Sequence, residues 1–222
     1  MSLNQAIRHA VCFLIFLILM VYCYFFVDKN LTFQITNIRE VYYIPLRILS
    51  ILTSPATQLT IWMWLFLWYL LVRRSEKLAL TYYPVIASLI ASNALIRFIK
   101  IFFGRSRPDM LLNDNIYALK LLSFERVFSS LPSGHASSLA SIFGLFAAKN
   151  PKHALFWISS SVVLSLCRVF IGAHFLSDIL IGNYLGFIFT WGFYFHESQK
   201  NPAYLNYTKD AVIWRKLIIS KA

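Results

Sequence analysis

The chain has 222 residues, of which 59% are hydrophobic and only 14% charged, with a formal net charge of +12. A soluble domain carries about 25% charged residues. Here the shortfall lies in long apolar runs, which excludes a soluble globular protein and predicts an all-α, polytopic membrane protein in which residues 1–222 form one integral membrane domain.

Ala10 to Val27 reads as the first span, preceded by Arg8 and His9 and closed by Asp28-Lys29-Asn30 without a small-residue cleavage site, hence an uncleaved anchor. Leu31 to Pro55 is mixed. Within it, Ile44 to Leu52 is apolar around Arg47 and bounded by Pro45 and Pro55, so it is expected to lie at the interface rather than to span. Ala56 to Val72 is the second span and Leu78 to Phe103 the third, and Gly104 to Leu131 is a polar connection. Gly134 to Ala148 makes a short fourth span, Ala154 to Ile171 the fifth and Phe175 to Phe195 the sixth. From His196 onward the tail is polar and basic, with Ala211 to Ile219 able to form an amphipathic surface helix.

Six spans put both termini on one side. Arg73, Arg74 and Lys77 crowd one short loop and Lys149 and Lys152 another, so the positive-inside rule puts these loops and both termini in the cytoplasm. The basic residues flank apolar segments instead of forming a stripe, which argues against nucleic acid and for anionic or phosphorylated lipids as partners. Cys12, Cys23 and Cys167 have neither metal nor redox spacing. Small residues at helix-packing spacing (Ser137 and Ser141, Ala140 and Gly144, Ser161 and Ser165, Gly182 and Gly186) are expected to let helices approach closely. No internal repeat or domain boundary is apparent, and no obligate protein partner is evident.

The chemistry-bearing residues fall at four span ends that this topology brings to the non-cytoplasmic face. Lys100, Arg107 and Pro108 follow span three, and Pro132-Ser133-Gly134-His135 opens span four. Arg168, His174 and Asp178 occupy the corner between spans five and six. His174 and Asp178 are four residues apart, so on a helix the carboxylate can hold one ring nitrogen and leave the other as an outward lone pair. Gly172-Ala173 permit a bend that returns the Arg168 guanidinium toward the imidazole, where it suits a pair of phosphate oxygens. Taken singly, each has a plainer reading: Lys100 and Arg107 as cations snorkelling to the interface, Ser133 as a helix N-cap.

Together these residues resemble the type 2 phosphatidic acid phosphatase (PAP2) superfamily, whose signature is K-x6-RP, PSGH and SR-x5-H-x3-D. The likeness runs from about residue 93 to 195, leaving 196–222 as a cytoplasmic tail. One departure is visible: Cys167 stands where the third motif usually has Ser, which puts any phosphate contact from that hydroxyl in doubt.

The resemblance implies a bundle of six transmembrane helices and a phosphatase that uses no metal and no cofactor. In it, His174 attacks phosphorus to form a phosphohistidine, Asp178 orients His174, and His135 acts as general acid and then base. Lys100, Arg107, Ser133, Gly134 and Arg168 would bind the phosphate. His174 neutral and His135 protonated at the start imply a bell-shaped pH profile. Arg97 shares a helical face with Asn93 and Lys100, and either adds a substrate contact or pairs with a neighbour.

A site at the lipid–water boundary favours a lipid phosphate, and in a bacterial cell it would lie in the inner membrane facing the periplasm. Size and layout look most like the lipid A phosphatases of the 4′ type. Undecaprenyl pyrophosphate, phosphatidylglycerol phosphate and transfer of the phosphoryl group to another lipid are alternatives. A transporter predicts inverted repeats and interrupted helices, and a purely structural protein predicts damaged motifs; neither is seen in the sequence.

Overall fold

The computed structural model of the chain describes residues 3–200, and they are helical with no strand among them beyond one isolated bridge between Arg105 and Leu119. The predicted amphipathic helix at Ala211 to Ile219 lies outside the described residues.

Helix α1 (Leu3–Tyr22) passes through a π-helical turn at Cys23–Val27 into α2 (Asp28–Gln34). Asp28-Lys29-Asn30 therefore does not close the first span, as the sequence suggested; the helix runs on through it. Asp28 is 1% exposed. Its burial is tolerable because other elements supply donors to its carboxylate, described below.

Helix α3 (Thr36–Leu52) continues through Pro45 with a kink at Tyr42, and α4 (Pro55–Leu67) opens with Ser54 Oγ accepting from Thr57 N at 3.1 Å and with Pro55 at its first position. A second π-helical turn, Trp68–Val72, ends that span. A short α5 (Glu76–Leu80) leads to α6 (Tyr83–Phe103), and α7 (Pro108–Asp114) lies within the polar connection from Gly104 to Leu131. Then come α8 (Gly134–Lys149), α9 (Ala154–Ser165), α10 (Cys167–Phe170) and α11 (Leu176–Lys200).

Among the described residues, four stretches are long and apolar enough to cross a membrane: Phe13–Gln34, Pro55–Val72, Leu78–Phe103 and Pro151–Phe170. They correspond to the expected first, second, third and fifth spans. The expected fourth and sixth are α8, of 16 residues, and α11, of 25.

Helix α8 is the axis of the bundle. Nine of its 16 residues are Ala, Ser or Gly, so α11, α9 and α6 close around it and most of its residues are buried. The small residues behave as expected and do more than make room. Ser88 and Ser141 share a hydrogen bond at 2.8 Å, Thr190 donates to Ser88 at 2.7 Å, and Ser137 donates to Ser92 at 2.9 Å. Asn183 joins α11 to α9 through Ser161 (2.5 Å) and Ser165 (3.2 Å). At one end of the bundle Val85, Leu89, Ile142, Leu145, Ala148 and Tyr194 form an apolar core. The other end carries the polar residues.

Candidate active site

The site is assembled from the end of α6, the loop that follows it, the start of α8 and the α10–α11 corner. Gly104 stops α6 with φ +51°, where a Cβ would come within 1.7 Å of the Lys120 carbonyl oxygen. Only glycine fits there. The loop is strapped back over this stop: Lys120 N donates to Gly104 O (2.8 Å), Ser106 N to Ala118 O (2.9 Å), Arg107 N to Val127 O (2.9 Å) and Ser130 N to Arg105 O (3.0 Å).

The strap brings Ser129 and Ser130 against the first-motif cations. Lys100 Nζ donates to the carbonyls of Ser129 and, at 3.3 Å, Ser130. Arg107 donates from Nη2 to Ser129 Oγ and from Nε to Arg126 O, both at 3.1 Å.

From there the chain enters α8. Ser133 is fully buried, its Oγ caps the helix by accepting from Ala136 N at 3.4 Å, and its N–H donates to Asp178 O at 3.0 Å. The Ser133 hydroxyl thus serves as the N-cap by accepting, and its own O–H is left to donate. Gly134 sits against Asn93, whose Oδ1 would be 3.1 Å from an added Cβ.

At the corner, Gly172 takes φ +70° and the N–H groups of Ala173 and His174 both donate to Arg168 O (3.0 and 3.2 Å). This is the bend expected at Gly172-Ala173, and it folds Arg168 and His174 onto each other. Arg168 Nη1 donates to Ser50 Oγ of α3. Cys167 is buried with Thr53 as its side-chain neighbour, so the position where the superfamily has Ser is turned to the α3–α4 junction.

His174 is 3% exposed, and its Nδ1 lies 3.6 Å from Asp178 Oδ2. That is ion-pair range and longer than a hydrogen bond. In the corner between the spans, burial pushes the His174 imidazole down to about 3, so the ring is neutral. His135 lies within electrostatic range of Arg168, His174, Lys100 and Arg107, and Lys100 within range of Asp178, Arg107 and Arg168. Lys100, Arg107, His135, Arg168, His174 and Asp178 therefore form one cluster at one end of the bundle.

Arg97 stands apart from it. Its side chain is exposed on α6.

The described residues contain no group of three or more His, Cys, Asp or Glu placed to hold a metal ion.

The family follows from a comparison with known proteins. A profile described as the PAP2 superfamily matches residues 81–201, more than half of the chain. The chain belongs to the PAP2 superfamily. It is 30% identical over 95 residues to a lipid A 1-phosphatase of Rhizobium etli, covering 43% of this chain and 41% of that one. It is also 32% identical over 104 residues to a lipid A 1-phosphatase of Rhizobium johnstonii, covering 47% and 41%. It thus spans about two fifths of the length of these curated relatives.

Two crystal structures share this PAP2 fold. LpxE of Aquifex aeolicus superposes with a TM-score of 0.55 at 22% identity, over 75% of this chain and 94% of that one. The transmembrane PAP2-type phosphatidylglycerolphosphate phosphatase of Bacillus subtilis superposes with a TM-score of 0.57 at 20% identity, over 86% and 96%.

Two residues at this end were not anticipated. Arg105, between Lys100 and Arg107, is 1% exposed and ion-paired to both Asp178 (2.6 Å) and Asp28 (2.8 Å). Burial works against its charge, but Asp178, Tyr117 and Asp28 together hold the guanidinium above its ordinary range and fully ionised. No local signal pointed to this pair: Asp28 reads as part of the polar triplet Asp28-Lys29-Asn30, and Arg105 falls between the two cations of the first motif.

Proposed function

We propose that this chain is a lipid phosphatase acting on lipid A, through a phosphohistidine formed on His174. The observation that carries the reading is the convergence of Lys100, Arg107, Arg168, His135, His174 and Asp178 at one end of the bundle. Three cations neutralise the phosphate dianion, and first-turn N–H groups of α8 at Gly134 and His135 add donors. Nδ1 of His174 faces Asp178, so Nε2 is the attacking atom. It bonds to phosphorus as the bond to the lipid oxygen breaks, and His135 delivers a proton to that leaving oxygen. His135 then takes a proton from water, whose oxygen displaces the imidazole and releases inorganic phosphate. No metal is required by this scheme.

The substrate assignment rests on the two Rhizobium relatives, which are named for the 1-phosphate of lipid A. The 4′ position suggested by size and layout has no such support, and we put the 1-phosphate ahead of it. We further infer that α8 and α11 also cross the bilayer, giving six spans with both termini cytoplasmic and the site facing the periplasm of the inner membrane.

The test is incubation of the purified chain in detergent with lipid A, phosphatidylglycerol phosphate and undecaprenyl pyrophosphate, with products identified by mass spectrometry. Loss of one phosphate from lipid A, with fragmentation locating it at position 1, is the expected result. His174→Ala should abolish release and EDTA should leave it unchanged. A fully active His174→Ala protein overturns the mechanism. Turnover confined to one of the other lipids overturns the substrate, and a phosphorylated acceptor lipid instead of free phosphate makes the chain a phosphotransferase.

A further inference from the structure

Asp28 lies in the first span, outside the 81–201 segment that defines the superfamily match, yet it reaches the catalytic corner. Its Oδ2 accepts from Arg105 Nη2 (2.8 Å) and Ser177 Oγ (2.5 Å), and its Oδ1 from the backbone N–H of Ser177 (3.1 Å). Ser177 is in the first turn of α11, so a residue 149 positions away caps the helix that carries Asp178.

Arg105 completes the link. Nη1 donates to Asp178 Oδ1 and to Ser177 Oγ, both at 2.6 Å, and Nη2 also donates to the Tyr117 hydroxyl at 2.6 Å. Phe175, Tyr24 and Tyr117 surround the guanidinium with ring centroids 4.4, 4.7 and 5.3 Å away. The planar fork cannot rotate.

We propose that Asp28 is a positioning residue for the reaction: through Arg105 and the first turn of α11 it sets the orientation and charge of the Asp178 carboxylate behind His174. The inference rests on the proposed role of His174 as nucleophile. Arg105 holds Oδ1 of Asp178, which leaves Oδ2 to meet Ser130 Oγ (2.5 Å), Phe175 N (2.9 Å) and, at 3.6 Å, His174 Nδ1. Asp28 matters to this balance because it shares the guanidinium. Without its charge, the whole of Arg105 falls on Asp178, and the carboxylate has less to offer the imidazole as positive charge develops there. The phosphate-binding cations Lys100, Arg107 and Arg168 make no hydrogen bond to Asp28, so substrate binding is left alone.

The experiment measures kcat and KM for phosphate release from lipid A and from short-chain phosphatidic acid, using the full chain in detergent. Asp28→Asn keeps the size of the side chain and an oxygen for the Ser177 N–H, removes the charge, and replaces the oxygen that Arg105 donates to with an amide nitrogen. It is expected to lower kcat about 10- to 100-fold with KM within about twofold, in protein that elutes as a single species and keeps a cooperative melt. Asp28→Glu should recover much of the loss. Arg105→Lys should also lower kcat, and adding Asp28→Asn to it should cost little more, since the two act along one path.

The inference is overturned by an Asp28→Asn protein with wild-type kcat, by a loss that only tracks the unfolded fraction, or by additive losses in the double variant. His174→Ala separates the two readings. If it is inactive while Asp28→Asn is normal, only this inference falls; if it is active, or if the wild type releases phosphate from neither lipid, the underlying reading falls with it.

Discussion

His174 and Asp178 face each other across 3.6 Å, Nδ1 to Oδ2, with both side chains buried. The gap is not slack. Both oxygens of Asp178 are already engaged, by Arg105 on one side and by Ser130 and the Phe175 N–H on the other. The carboxylate therefore acts on the ring mainly as a fixed negative charge, and a direct hydrogen bond would form only as the imidazole gains positive charge.

Asp178→Asn tests this directly. The amide retains the size of the side chain but not the charge, and it leaves Arg105 with Asp28 as its one carboxylate partner. Loss of charge behind a nucleophilic imidazole predicts a fall in kcat of about 10³-fold with little change in KM. Breaking one arm of a buried ion-paired network also lowers stability. Steady-state kinetics and a thermal melt of the same preparation check both.

The buried imidazole also has a consequence for pH. Burial holds His174 down to about 3, well below the ordinary histidine value of 6.5, with Asp178 opposing the shift. The unfolded chain binds this proton at a pH where the folded one does not. Stability should accordingly fall as pH drops from about 6.5 toward 3 and be independent of this group above that window. A His174→Gln protein, which has nothing to protonate, should show a flatter dependence of melting temperature on pH between 7 and 5 than the wild type. Any acid limb in kcat/KM near pH 6 then belongs to the phosphate's second ionisation or to another group, not to His174.

Much of this arrangement was legible in the chain. The apolar runs located the helices, and the spacing of Lys100 and Arg107, of Ser133 and His135, and of Arg168, His174 and Asp178 picked out residues that the fold gathers at one end of the bundle. Those are local patterns, carried by period and by short motifs.

What was not legible is non-local. Asp28 looked like the polar end of a span because it opens the polar triplet Asp28-Lys29-Asn30; its donors lie at Arg105 and Ser177. Ser133 reads as a phosphate ligand in its motif and as an N-cap taken singly, and the bond its Oγ accepts from Ala136 N shows the second role without removing the first. Arg105 was hidden by its neighbours, since the motif counts Lys100 and Arg107 and passes over the residue between them.

Arg97 and Lys100 lie one helical turn apart near the end of α6 and should behave differently. Lys100 is largely buried among the loop carbonyls and the other site cations, whereas Arg97 is exposed on the outside of the helix. Arg97→Ala is expected to leave kcat and KM within about twofold of wild type and to leave the melt unchanged, because an exposed cation makes little contribution to stability. Lys100→Ala removes one of the three cations proposed to face the phosphate and should cost about 10²-fold or more in kcat/KM. A raised KM in Arg97→Ala alone would restore it as a substrate contact.

Three glycines of α11 separate packing from chemistry. A Cβ at Gly182 would come 2.3 Å from Ser133 O and 2.9 Å from Ala136 Cβ, and one at Gly186 would come 2.3 Å from Ser137 O and 2.7 Å from Ala140 Cβ. Both clashes involve backbone of α8, so the helices must part. Overpacking of this kind costs about 1–3 kcal/mol. Gly192, on the same helix, has nothing within 4 Å. Gly192→Ala should be neutral or gain about 0.5–1 kcal/mol, the helix preference of alanine over glycine. The two clashing sites then differ from each other. Gly182→Ala pushes on the turn that carries Ser133 and His135, so it should lose kcat as well as melting temperature. Gly186→Ala pushes one turn further along α8, so it should lose melting temperature with a smaller effect on kcat. Equal kinetic effects at the two positions would mean that α8 moves as a rigid rod and that the cap at Ser133 does not localise the strain.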